Sequence, residues 1–63
     1  MRVKLKEIRL SKNMTQDEIA EKIGINRSYY TNIERGNRNP SFLVALKIKN
    51  VLGIKDDDIF LVK

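Results

Sequence analysis

The chain has no cysteine and no histidine. That excludes disulfides and zinc sites as sources of stability, together with the commonest general base, the thiol nucleophile and most transition-metal sites. No nucleophile–base set remains, so no enzyme is expected, and no metal, cofactor or small-molecule ligand is implied. Long hydrophobic runs are missing too. The longest, Phe42 to Leu46, falls far short of the ~20 residues that span a bilayer. The first ten residues scatter Arg2, Lys4, Lys6 and Glu7 among apolar ones, leaving no signal-peptide core. The expectation is a soluble, cytoplasmic protein with no membrane partner. Tryptophan is absent, and the four aromatics (Tyr29, Tyr30, Phe42 and Phe60) are mostly needed for packing. They leave no stacking platform for single-stranded RNA.

Sixty-three residues allow one domain, residues 1–63. A chain of that length buries only about 60% of the surface its unfolded form exposes, so its stability rests on tight helix packing or on a second copy of itself. Thirteen Lys and Arg against eight Asp and Glu give a net charge of +5. That basic balance points weakly to nucleic acid. The distribution says more. Residues 27–49 hold Arg27, Arg35, Arg38, Lys47 and Lys49 against a single acid, Glu34, while acids gather at Asp17, Glu18 and Glu21 and again at Asp56, Asp57 and Asp58.

Start and stop signals divide the chain into short helices. Leu5 and Ile8 lie on one face of the first, and Asn13 suits a left-handed residue after it. Thr15-Gln16-Asp17-Glu18 reads as a capping box, with Met14 and Ile19 as its hydrophobic staple. Ile19, Ala20 and Ile23 carry that second helix to Gly24. Asn26 caps a third, from Arg27 to about Arg35, in which Tyr30 and Ile33 face inward. After the polar turn Gly36-Asn37-Arg38-Asn39-Pro40, Ser41 caps a fourth helix, with Phe42, Ile48 and Leu52 as core, up to Gly53. Asp56 to Asp58 suit the first turn of a last short helix. No strand periodicity stands out, so the fold class is all-α.

Two helices of about eight residues around one tight turn have the form of a helix-turn-helix. Ala20 supplies the small residue at the crossing, Gly24 the left-handed turn, and Tyr30 and Ile33 the packing of the second helix on the first. An ordinary αα-hairpin in a small bundle is the plainer alternative.

Further motifs narrow the choice: Ile8-Arg9, Met14-Thr15-Gln16-Asp17-Glu18-Ile19-Ala20, Gly24-Ile25-Asn26-Arg27-Ser28-Tyr29, Ile33-Glu34-Arg35-Gly36, Asn39-Pro40-Ser41 and Ala45-Leu46-Lys47-Ile48. In these the chain resembles the Cro/CI-type helix-turn-helix regulators, and is similar to small stand-alone dimeric members of the cytolysin-repressor kind. The resemblance implies a lambda-repressor-like domain of five helices, the second and third reading DNA, with a short C-terminal strand in some members. It also implies that Arg9 and Glu34 form a partly buried ion pair, and that Gln16 contacts the DNA backbone and braces the reading helix. Tyr30, Asn13, Lys55, Leu10 and Leu43 depart from the family's usual residues.

With the third helix in the major groove, Arg27, Ser28 and Asn32 are expected to meet base edges, although each could instead touch phosphate or water. Tyr29, Arg35, Asn37 and Arg38 are the expected backbone contacts, with Gln16. Leu43, Val44, Ile59, Phe60, Leu61 and Val62 are apolar without an evident partner and are assigned to a dimer interface, the alternative being that the chain's end folds back on the monomer. The whole reads as a homodimeric, sequence-specific double-stranded DNA-binding regulator, a repressor on a pseudopalindromic operator. A protein-interaction module, such as an antitoxin or antirepressor, is the rival.

Overall fold

Three side-chain caps and three left-handed glycines set the frame. In the computed structural model, which describes residues 1–62, α1 runs Val3–Ser11, α2 Gln16–Ile23, α3 Arg27–Arg35 and α4 Phe42–Leu52. A single 3-10 turn, Asp58–Phe60, follows. The capping box before α2 is closed in both directions. Thr15 Oγ1 accepts from the Glu18 amide at 3.1 Å, and the Glu18 carboxylate accepts from the Thr15 amide at 2.9 Å. The Asn26 side chain accepts from the Tyr29 amide at 2.7 Å and that of Ser41 from the Val44 amide at 3.2 Å. Each such cap satisfies an orphan donor of the first turn.

α1 ends differently, through Asn13, which adopts φ 58°; asparagine tolerates this conformation better than most residues. Gly24, at φ 79°, makes the turn between α2 and α3, and a Cβ there would meet nothing within 4 Å. Its requirement is therefore conformational, not steric.

The core gathers Leu5 from α1, Ile19, Ala20 and Ile23 from α2, Tyr30 and Ile33 from α3, Ile48 and Leu52 from α4, and Ile59 from the last turn. α2 packs on both α3 and α4, and the 3-10 turn closes over α1. The side of α3 opposite Tyr30 and Ile33 is thereby left for other use.

Three expectations need correcting. Phe42 is not core: it is 81% exposed. The inward stripe of α4 runs through the buried Ile48 and Leu52, flanked by the half-buried Val44 and Val51, and Phe42, the first residue of the helix, lies off it. Ile59 is not available to a dimer interface, because it is fully buried within the monomer. Only one turn stands where a fifth helix was expected, and it is 3-10. Asp57, which could have capped a longer helix, gives its carboxylate instead to Lys49 Nζ at 2.6 Å, and no side chain among the described residues caps the turn. A segment this short without a cap does not sustain an α-helix. Leu61 is extended, but no strand pairing exists among the described residues.

Candidate nucleic-acid interface

α3 is held by a buried bidentate ion pair. Arg9 Nε and Nη2 each donate to Glu34 at 2.9 Å, and Arg9 Nη1 donates to the Met14 carbonyl at 2.7 Å. The two side chains are 7% and 1% exposed. One guanidinium thus joins α1, the turn before α2, and α3. Burial alone would push the Glu34 carboxyl up, but the bonds and charge of Arg9, helped by Gln16, hold it below its ordinary range. Tyr30 lies beside the pair with its hydroxyl buried, and after Arg9 it too helps to hold the Glu34 carboxyl down. Burial and the adjacent carboxylate push its pKa up, so it stays a neutral phenol.

Gln16 connects the first turn of α2 to α3. Its Oε1 accepts from the Thr31 hydroxyl at 2.9 Å, and its Nε2 donates to Glu34 at 3.4 Å. The sequence reading left Thr31 without a role. The signal was there, since Thr31 stands one turn before Glu34 and therefore on its face.

On the open side of α3, Arg27 and Ser28 are exposed and Asn32 is half-buried. Asn26, Ser28, Tyr29, Asn32 and Arg38 line one shallow groove, so Ser28 and Asn32 share a surface with Tyr29 and Arg38. Arg27 stands outside that groove, its Nε 3.8 Å from Asp17 Oδ1, both side chains well exposed. A contact that long and that exposed restrains Arg27 little.

The turn after α3 folds back on the helix. The amides of Asn37 and Arg38 donate to the Asn32 carbonyl at 2.9 and 3.2 Å. The Arg38 guanidinium lies 5.5 Å from the centre of the Tyr29 ring, and the Tyr29 hydroxyl accepts from the Ser41 amide at 3.3 Å. Tyr29 therefore holds both the side chain and the far end of the turn. Arg35 and Asn37 are exposed.

Leu43, Leu61 and Val62 are exposed, at 59%, 62% and 53%, whereas Val44 and Phe60 are half-buried against the core. No helix among the described residues is long and apolar enough to cross a membrane, and no cluster of three or more acidic side chains there could hold a metal ion.

The helix-turn-helix family model matches residues 5–59 of this chain. The chain belongs to the helix-turn-helix family of DNA-binding transcriptional regulators. An uncharacterized HTH-type transcriptional regulator of Archaeoglobus fulgidus is 43% identical over 61 residues, covering 97% of this chain and 86% of the relative. The uncharacterized regulator YqaF of Bacillus subtilis is 51% identical over 53 residues, 84% of this chain and 70% of its own length. The control protein C.BamHI of Bacillus amyloliquefaciens is 42% identical over 57 residues, 89% of this chain and 70% of that protein. No solved structure matches the chain significantly. Within this helix-turn-helix, α2 and α3 are the paired helices, and the family is a DNA-binding, non-enzymatic kind.

The Arg9–Glu34 pair yields a prediction. Glu34 has a lower pKa folded than unfolded, so its stabilisation is full above the ordinary value of 4.5 and is lost as pH falls from there toward the depressed native value. Glu34→Gln leaves Arg9 buried without its counter-charge and should cost ~3–5 kcal/mol at neutral pH. Urea unfolding at pH 7 and pH 3 should show a large gap between wild type and variant that narrows in acid. Equal midpoints at pH 7 would mean that the pair contributes nothing.

Proposed function

We propose that the chain is a homodimeric repressor that binds a pseudopalindromic operator through α3, in the manner of the small cytolysin-repressor-like proteins it resembles, and acts in the cytoplasm by occlusion. The observation that carries this reading is the open face of α3. Arg27, Ser28 and Asn32 stand clear of the core on a helix whose orientation is fixed by Arg9, Glu34 and Gln16. A helix fixed in this way can enter the major groove with its first residues at base edges. Arg27 suits guanine O6 and N7, and Asn32 suits adenine. Around them Arg35, Asn37 and Arg38 meet the phosphates, with the Tyr29 hydroxyl donating to one. Gln16, engaged with Thr31 and Glu34, keeps one amide N–H for the backbone beside the first turn of α2.

One short helix reads too few base pairs to find a genomic site. Two copies held at a fixed spacing do so, with half-sites about one helical turn, or ~34 Å, apart. Leu43, Leu61 and Val62, with the half-buried Val44 and Phe60, supply exposed apolar side chains for that pairing. Ile59 takes no part, being core.

Selection of bound duplexes from a random pool tests the reading of bases. The wild-type motif should be pseudopalindromic, and Arg27→Ala should relax one position per half-site by ~1–3 kcal/mol. An unchanged motif with uniformly weaker binding would make Arg27 a phosphate contact. Failure to enrich any duplex would favour a protein partner instead. Sedimentation at micromolar concentration should give a dimer, shifted toward monomer by Leu61→Asp or Leu43→Asp, with operator affinity falling in step. A chain monomeric at about 100 μM, both free and on DNA, would contradict the dimer.

A further inference from the structure

Arg2 has no role in the sequence reading, yet it is among the most buried polar residues of the protein, at 2% exposure. Its guanidinium reaches three separate parts of the chain. Nε donates to the Phe60 carbonyl at 2.8 Å, and Nη1 to the carbonyls of Ile33 at 2.5 Å and Arg38 at 2.9 Å. Nη2 donates to Asn39 Oδ1 at 2.8 Å, and the Arg2 amide itself donates to the Glu34 carbonyl at 2.8 Å. Four of its five side-chain N–H groups are thus committed.

What the guanidinium does not meet is a carboxylate: no ion pair to Arg2 exists among the described residues. A buried charge compensated only by neutral oxygens is an expensive way to fill a core position, and an apolar residue of similar size often serves stability as well. The return lies in the loop that Arg2 grips. Residues 36–40 are Gly-Asn-Arg-Asn-Pro, a run with turn propensity and no apolar anchor of its own. Arg38 is held at both backbone atoms, its amide by the Asn32 carbonyl and its carbonyl by Arg2. Tyr29 supports its side chain from the other face. The grip on Asn39 Oδ1 turns that side chain toward the protein.

We infer that Arg2 is a positioning residue for DNA binding: from beneath, its buried guanidinium fixes the 36–40 loop so that Arg38 is presented, already ordered, to the phosphate backbone. A loop ordered in advance loses less conformational freedom on binding. The inference rests on the DNA-binding reading above, in which Arg38 neutralises a phosphate.

The test uses Arg2→Lys, which keeps the positive charge but replaces a planar fork with a single point donor that cannot span four acceptors. Operator binding is measured as a function of salt for wild type, Arg2→Lys, Arg38→Ala and the double variant, with amide hydrogen exchange of each free protein. The expected result is that Arg2→Lys speeds exchange at residues 37–39 well beyond any change in the core of α2. It should also lower the magnitude of the log K against log [salt] slope by about 1 per protomer, as Arg38→Ala does, and Arg38→Ala should add no more to it.

If Arg2→Lys does not fold, Asn39→Ala takes its place. It removes one exposed, neutral arm of the grip, so any loss of slope must come through Arg38 and not through its own charge. A folded Arg2→Lys or Asn39→Ala with an unchanged slope, or slope losses that add in the double variant, would overturn the positioning role. Exchange that rises equally in loop and core would make Arg2 structural only. A wild-type chain with no salt-dependent binding to any duplex would instead refute the DNA reading, and the proposal with it.

Discussion

The bidentate pair between Arg9 and Glu34 is the interaction on which the rest of the arrangement depends. In a chain of 63 residues the apolar core is small, and apolar contacts alone do not dictate the rotation of a nine-residue helix about its axis. A guanidinium and a carboxylate locked through two hydrogen bonds do, because their geometry is directional. Arg9 also holds the Met14 carbonyl, and Glu34 also receives Gln16, so the same pair sets the turn into α2 and the first residue of α2. The exposed face of α3 is what remains once that rotation is fixed. Replacing the pair by apolar residues could preserve a bundle while losing the constraint that aims the face.

A second level of control acts on the turn after α3. Its residues have little intrinsic order and lie between two aromatic or cationic supports, Tyr29 on the outer side and Arg2 beneath. Gly36 completes this corner. At φ 87° it accommodates a turn other residues resist, and a Cβ there would come within 3.1 Å of Val62 Cγ1. The chain's first and last turns thus both meet the end of α3.

Much of this was legible in the sequence because it is local. A cap needs only a hydroxyl or amide two or three residues before the donor it satisfies, so Thr15, Asn26 and Ser41 fixed the starts of α2, α3 and α4. Tyr30 was read as core on helical spacing and is fully buried. The failures are non-local. Ile59 sits in an apolar tail that looks unpartnered until the last turn closes over α1, and Phe42 looks like core until α4 is rotated into place. Asp57 left its helix end for Lys49, a choice that no local rule reveals. Arg2 carries no sequence signal at all, since one basic residue near the start of a basic chain is unremarkable until its four acceptors converge on it.

The central claim, that DNA meets the open face of α3 and the turn after it and not the exposed side chains of Leu43 and Leu61, is tested most directly by backbone amide chemical shifts. The labelled protein is titrated with a duplex selected for binding. The account predicts the largest changes at Gln16 and Asp17, across Arg27 to Asn32 and at Asn37 to Ser41, with Leu43 and Leu61 little altered. Changes concentrated at those last two residues, with Arg27, Ser28 and Asn32 unmoved, would contradict it.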